Sequence, residues 1–462
     1  MEIGVTPWYR AFRHLTAGTL LLGGLLVPAT AIAAPVSIQP AVAVPMPPEL
    51  DRDFYYPPAD IVTTKAPGEI IAARQVTVAN MGLIPVNVDA WLLSYRSNNS
   101  RGEPIAAVAT VLKPRGSAPD KLMSMQAAED SLAAYCSPSY AMQQWTLATL
   151  GGQVVVPLEF FITQAALQQG WGVVVPDHQG PNNAFAAGPL AGRITLDGIR
   201  AAQNFEPMAL APHTRVGLFG YSGGAIATGH AAELKQSYAP ELNVVAVAEG
   251  GVPADLGAVL NVGNGQLWSG MIMSAVLGLG REYPEFDALL DAKLNPLGQG
   301  LATVKDGLCV AFNTSVFPFV NMKGMFTVPG DPLDHPVVDE VIDKTRMGKT
   351  LPDMPMFIWQ GNPDELIPVG PVNTLVDTYC QNPAAQVQYT REHLSQHLST
   401  AVSGTPRALL WMRDRLEGIP AQPGCSTFDA GSMALDHEGL GLLTSIFGET
   451  VASFFGKPIG AK

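Results

Sequence analysis

No run of lysines and arginines occurs anywhere in the 462 residues, and the formal net charge is -13. A nucleic-acid-binding surface needs a basic footprint to displace phosphate counterions, so that class of partner is excluded. The acidity favours solubility and implies nothing more specific. Cysteine is scarce, with only Cys136, Cys309, Cys380 and Cys425. None repeats at the short spacing of a zinc site and none has a local histidine partner, so no metal is expected and the four read as structural cross-links. An even count in an oxidising compartment fits two disulfides, with three pairings open. Long apolar runs are also missing, apart from residues 15–26, which are short for a membrane span and contain Gly23 and Gly24. Behind Arg10 and Arg13 and ahead of Ala31-Ile32-Ala33, that run reads as a secretory signal cut after Ala33, which places the chain outside the cell or in its envelope. No cysteine follows it directly, so no lipid attachment is expected there.

What is present is apolar bulk, 47% of residues, in a chain long enough for one large α/β domain with an insertion. Residues 34–58 are rich in proline and alanine and read as an arm wrapped on the surface. Residues 59–252 form the first part of a core. Three strand-like runs, 75–78, 86–95 and 105–112, suggest an antiparallel start. Strands then alternate with helices, with strands at 122–126, 171–177, 215–219 and 244–247 and helices at 158–169 and 196–205. Such alternation gives a mostly parallel mixed sheet with helices on both faces. Ligands bind at the carboxyl ends of such strands, where Asp130, His178, Ser222 and Glu249 fall.

The rhythm stops at Gly250-Gly251-Val252-Pro253. Residues 253–351 are rich in methionine and glycine at helical spacing, including Met271, Ile272, Met273, Val276 and Leu277. They read as an inserted helical cap whose flexible apolar side chains adapt to acyl chains. Residues 352–425 resume the core with strands at 355–360 and 387–390, and residues 426–462 form a tail packed on the body as a flap.

The chemistry centres on residues 215–224, Arg-Val-Gly-Leu-Phe-Gly-Tyr-Ser-Gly-Gly. Here a strand runs into Gly220-Tyr221-Ser222-Gly223-Gly224 and then into an alanine-rich helix, which is the setting of a nucleophile elbow. Ser222 is the candidate nucleophile. The Gly223 backbone N–H and the helix N-terminus would face the developing oxyanion. Late in the chain, Gly361-Asn362-Pro363-Asp364-Glu365 puts two acids in a turn after a strand, and Asp364, first after the turn, is preferred to Glu365. His393 and His397 both follow the last obvious strand, and spacing alone admits either. Ser395 is the expected cap of the helical turn containing His397, and Thr405-Pro406 the expected start of a helix through Leu416. Serine, acid and histidine in this order are the α/β-hydrolase order. The base takes the serine proton and returns it to the leaving alcohol, while the acid fixes the imidazole tautomer. No metal or cofactor is called for. A second oxyanion donor should come from the loop after an early strand, Ala127-Ala128-Glu129-Asp130-Ser131, where no His-Gly-Gly-Gly occurs.

Taken together, several motifs resemble the secretory lipase family of the yeast lipase A type, including its actinobacterial members. These are Gln126 to Ser131 ahead of Cys136-Ser137-Pro138-Ser139, Pro176-Asp177-His178-Gln179-Gly180-Pro181, Gly220 to Gly224, Glu249-Gly250-Gly251-Val252-Pro253-Ala254-Asp255-Leu256, and Ser395-Gln396-His397-Leu398 with Thr405-Pro406-Arg407-Ala408. The likeness spans residues 54–425. It implies an α/β-hydrolase fold, His397 as the base, Asp130 as the second oxyanion donor beside Gly223, and disulfides Cys136–Cys309 and Cys380–Cys425. It also implies hydrolysis of carboxylic esters, often triacylglycerols, with the acyl chain buried in the cap. The chain departs from the family pattern at Met123-Ser124-Met125 and in the long tail past Cys425, so no acyl-chain length carries over. The expectation is an exported serine ester hydrolase, foremost a triacylglycerol lipase, meeting an ester or lipid substrate and touching a lipid interface transiently. An acyltransferase or short-chain carboxylesterase on the same triad, or a lipid-binding envelope protein without catalysis, are the alternatives.

Overall fold

The computed structural model describes residues 36–460; the secretory signal read in residues 1–33 lies outside them. Among the described residues, eleven strands build one sheet. In chain order these are β1 (Ile38–Gln39), β2 (Ile70–Gln75), β3 (Val88–Asn98), β4 (Pro104–Pro114), β5 (Lys121–Gln126), β6 (Gly172–Pro176), β7 (Arg215–Tyr221), β8 (Val244–Gly250), β9 (Met356–Gly361), β10 (Gln386–Glu392) and β11 (Gly424–Ala430). Across the sheet they run β1-β2-β3-β4-β6-β5-β7-β8-β9-β10-β11. β2, β3, β4 and β6 pair antiparallel in succession, and from β6 onward every pairing is parallel. The mixed, mostly parallel sheet with helices on both faces is the α/β-hydrolase fold.

The central strands are continuous apolar runs because both faces are covered. All five residues of β6 are buried, and neighbouring residues serve opposite cores, as the two-residue period requires. Leu218, Val247 and Ile358 face the helices Gly188–Asn204 and Gly223–Tyr238. Phe219, Ala248, Phe357 and Trp359 face the helices Val155–Gln168 and His397–Leu416. Trp359 is fully buried and fits only because Gly250 and Gly404 lack side chains; a Cβ there would come within 2.1 and 2.4 Å of its indole.

Several sequence expectations are corrected. The strand expected at residues 75–78 lies earlier, as β2, because after Gln75 the chain leaves the sheet to bury Val76 and Val78 in the second core. The arm supplies edge strand β1 and buries Phe54 and Tyr55, whose hydroxyl lies 3.0 Å from Ser139 Oγ. The helix start expected at Thr405-Pro406 is mid-helix: one helix runs His397–Leu416 with Pro406 inside it. Proline removes one N–H, and the Thr405 hydroxyl bonds the Ala401 carbonyl at 2.7 Å alongside. The tail holds a helix, His437–Phe454, seated through Leu442 and Ile446, while Leu440, Leu443, Phe447, Val451 and Phe454 on its other side are exposed.

Between β8 and β9 the chain forms the helices Leu256–Gly263, Ser269–Glu282, Pro284–Lys293, Pro296–Lys305, Val310–Val316 and Pro336–Thr345. Disulfides join Cys136 to Cys309 and Cys380 to Cys425. The first ties the loop after β5 to this helical insertion, and the second ties edge strand β11 to the helix Val369–Tyr379 that precedes β10. The pairs span 173 and 45 residues. Loop-closure entropy then puts the loss on replacing each pair by serine at roughly 5 and roughly 4 kcal/mol respectively. Denaturant midpoints of the two double variants should fall in that order; equal stability with and without Cys136–Cys309 would contradict it.

Candidate active site

The elbow is built by exclusion of side chains. A Cβ at Gly220 would lie 2.3 Å from Thr228 Oγ1, and one at Gly224 would lie 2.0 Å from the Gln126 carbonyl. The nucleophile helix can therefore press onto the end of β5. Ser222 is held at φ +53°, a conformation that L residues seldom adopt, with its N–H on the Gly250 carbonyl at 2.9 Å. The turn presents Ser222 Oγ at the start of the helix Gly223–Tyr238.

His397 Nε2 stands 2.8 Å from Ser222 Oγ, and its Nδ1 stands 2.8 Å from Asp364 Oδ2. All three side chains are buried. Asp364 accepts the Leu366 and Ile367 N–H groups on Oδ1 at 2.9 and 2.7 Å, and the Gln360 amide on Oδ2 at 2.9 Å. With every position on the carboxyl taken, its orientation is fixed. The competing acid serves a different atom: Glu365 accepts the His397 backbone N–H at 2.9 Å, where the helix N-terminus favours negative charge. The helix cap is Gln396 with Ser399, not Ser395. Tyr221 donates its hydroxyl to the His397 carbonyl at 2.6 Å and sets its ring 5.2 Å from the imidazole. His393 is partly exposed, between Asn362 Nδ2 and Asp429 Oδ1 at 2.9 Å each, and takes no part in this line.

Asp130, at φ +45°, lies against Gly223, the residue after the serine. A Cβ on Gly223 would sit 1.8 Å from Asp130 Oδ1, so the carboxyl fills the space against Gly223. That oxygen is buried without a hydrogen-bond partner, and burial pushes the Asp130 carboxyl up to about 7. With its amide assigned in the orientation that satisfies both neighbours, Gln179 accepts the Asp130 backbone N–H at 3.0 Å and donates to the Ser131 carbonyl at 2.7 Å. The loop is braced further by His178, whose Nε2–H donates to the Ala127 carbonyl at 2.7 Å; burial draws that ring down to about 4 and keeps it neutral. Beneath it, burial raises the Glu129 carboxyl, reinforced by Asp177. Glu249, the remaining acid expected at a strand end, is not part of the site. It is buried against Gly229 and Met347 under the nucleophile helix and has no partner.

A cavity partly open to solvent has Asp130, Ser222 and Gly223 on its wall. The rest is apolar, including Ile226, Met271, Ile272, Val276, Leu279, Phe286 and Val341 from the nucleophile helix and the insertion. Of the cap residues singled out in the sequence, Met271, Ile272 and Val276 line it, Met273 is buried elsewhere, and Leu277 lies in a surface groove with Arg281 and Asp287. No cluster of metal-ligating side chains occurs among the described residues.

Residues 146–424 match the family model described as secretory lipase. The chain belongs to the secretory lipase family. It is 35% identical over 417 residues to a protein named secreted triacylglycerol lipase LIP4 of Malassezia globosa, covering 87% of this chain and 90% of that one. It is 36% identical over 381 residues to a protein of Mycobacterium tuberculosis named probable inactive lipase MT1628, covering 80% and 83%. The X-ray structure of Candida antarctica lipase A superposes with a TM-score of 0.80 at 30% identity, covering 91% of this chain and 99% of that one. The protein is a serine ester hydrolase of this family, with an ester or lipid substrate.

Gln179, Gln360, Tyr221 as a clamp and Glu365 as a backbone anchor were not singled out for these contacts in the sequence. Their partners lie far along the chain, and only the dipeptide Asp364-Glu365 carried a signal. Tyr221→Phe keeps the ring and deletes one buried hydrogen bond to the His397 carbonyl. The expected loss is about 1 kcal/mol of stability, read as a lower denaturant midpoint for the variant; an unchanged midpoint would show that the bond contributes nothing.

Proposed function

We propose that this is an exported lipase that cleaves long-chain carboxylic esters, triacylglycerols foremost, through an acyl-enzyme on Ser222. The observation carrying the proposal is the hydrogen-bonded line Ser222–His397–Asp364 opening onto an apolar cavity. His397 takes the Ser222 proton as Oγ attacks the ester carbonyl, and Asp364 holds the imidazole with Nε2 free to accept. Collapse of the tetrahedral intermediate expels the alcohol, which receives that proton from His397. A water deprotonated by the same nitrogen then releases the acid. The acyl chain lies in the cavity beneath the insertion. The relative named a secreted triacylglycerol lipase supports export and the substrate class; the signal is cut near Ala33, and contact with a lipid interface is transient.

The oxyanion is met by the Gly223 N–H and by Asp130. Since the Asp130 N–H faces Gln179, Asp130 donates through its carboxyl in the protonated form. The sign follows from burial: the neutral acid is the donor and prevails below about 7, while above it a carboxylate would repel the oxyanion. Asp130→Asn puts an amide donor at the same place, so it should keep activity and lose the alkaline fall in kcat/KM near pH 7. An alkaline limb identical in both proteins would show that Asp130 is not the donor.

Hydrolysis of p-nitrophenyl esters from acetate to palmitate, beside the Ser222→Ala variant, tests the main reading. The expected result is activity persisting at long chain length and lowered by at least about 10⁴-fold in Ser222→Ala. Activity confined to short chains would make the protein an esterase. Full activity of the alanine variant, or none in the parent, would reject the assignment, which matters because one relative is named an inactive lipase.

A further inference from the structure

We infer that Glu392 is a positioning residue for His397, acting by holding the C-terminal segment 430–433 against the loop that carries the histidine. The inference rests on the reading of Ser222, His397 and Asp364 given above. Glu392 ends β10 and is wholly buried. Its Oε1 accepts Ser395 Oγ at 2.7 Å, Ser432 Oγ at 2.6 Å and the Met433 N–H at 3.0 Å, and its Oε2 accepts Ser403 Oγ at 2.6 Å. One carboxyl thus joins the histidine loop, the histidine helix and the C-terminal segment. Its carbonyl accepts the Asn362 N–H at 2.7 Å, in the turn that leads to Asp364.

Hydrogen bonding, not packing, must hold this loop. Between Glu392 and His397, Leu394 is 78% exposed and the His393 side chain is partly exposed, so neither buries an apolar anchor. The His393 and Leu394 N–H groups bond instead to the Ala430 and Gly431 carbonyls at 3.0 Å each. Met433 then plugs the segment into the core beside Gly404. If the segment leaves, the buried carboxyl loses two of its four donors, the Ser432 hydroxyl and the Met433 N–H, and is left partly unpaired. The segment therefore fixes the path from β10 to His397, and with it the imidazole between Ser222 and Asp364. A displacement of about 1 Å there can cost on the order of 10²-fold in rate.

Glu392→Gln replaces one acceptor by a donor, and Ser432→Ala removes a single hydroxyl at the half-buried edge. In the full-length protein, Glu392→Gln should lower kcat for p-nitrophenyl butyrate on the order of tenfold, and Ser432→Ala a few-fold, with KM within about twofold. Labelling of Ser222 by a fluorophosphonate should slow by the same factors, since it reads the serine's activation without substrate binding. If Glu392→Gln does not fold, Ser432→Ala decides alone. Wild-type kcat and labelling rates in the folded variants, even with a lower melting temperature, would reduce Glu392 to a structural staple and overturn the inference. Parent protein unlabelled at Ser222 would overturn the reading of the site, and this inference with it.

Discussion

The backbone of Ser222, held at φ +53°, is the constraint around which the molecule is arranged. A non-glycine residue in that region costs on the order of 1–3 kcal/mol, so its surroundings must impose it. They do so from three sides. β7 and β8 run parallel in fixed register, the Gly250 carbonyl captures the Ser222 N–H, and the helix beginning at Gly223 packs so tightly onto β5 that side chains at 220 and 224 are excluded. A neighbouring position is likewise compressed, with the Asp130 carboxyl lying where a Cβ of residue 223 would be. Ser222 and the Asp130 carboxyl thus line one cavity wall, set by the packing of the fold itself.

The other partners come from strands two and three places away in the sheet. β9 ends in the turn bearing Asp364 and β10 ends in the loop bearing His397, and both loops are held mainly by polar contacts. Gln360 fastens the acid, Glu365 and Tyr221 fasten the histidine backbone, and Glu392 fastens the loop between them. The site is therefore a rigid floor at the elbow joined to a polar bracket at the far end. The apolar insertion faces it with Met271 and aliphatic side chains.

Much of this was legible in the sequence where the signal was local. Residues 215–224 show strand, turn and helix in one stretch, and the buried run 172–176 announces a central strand. What was not legible depends on contacts across long separations. Proline at 406 reads as a helix start, yet the helix passes through it, because packing over Trp359 and Met433 outweighs one missing hydrogen bond. His178 and Glu249 stand at strand ends like Ser222, but tertiary packing turns the first under the Asp130 loop and the second beneath the nucleophile helix. Asp364 is preferred to Glu365 in the sequence by its place in the turn, but the second acid's contact is not legible there: both meet His397, one at the ring and one at the backbone.

The most direct measurement is rapid-quench mass spectrometry of the protein mixed with a p-nitrophenyl ester at acidic pH, where deacylation is slow. The account predicts one acyl equivalent on the peptide containing Ser222, formed in a burst before steady turnover. Steady ester turnover with that peptide unmodified, or the acyl group on another residue, would contradict it.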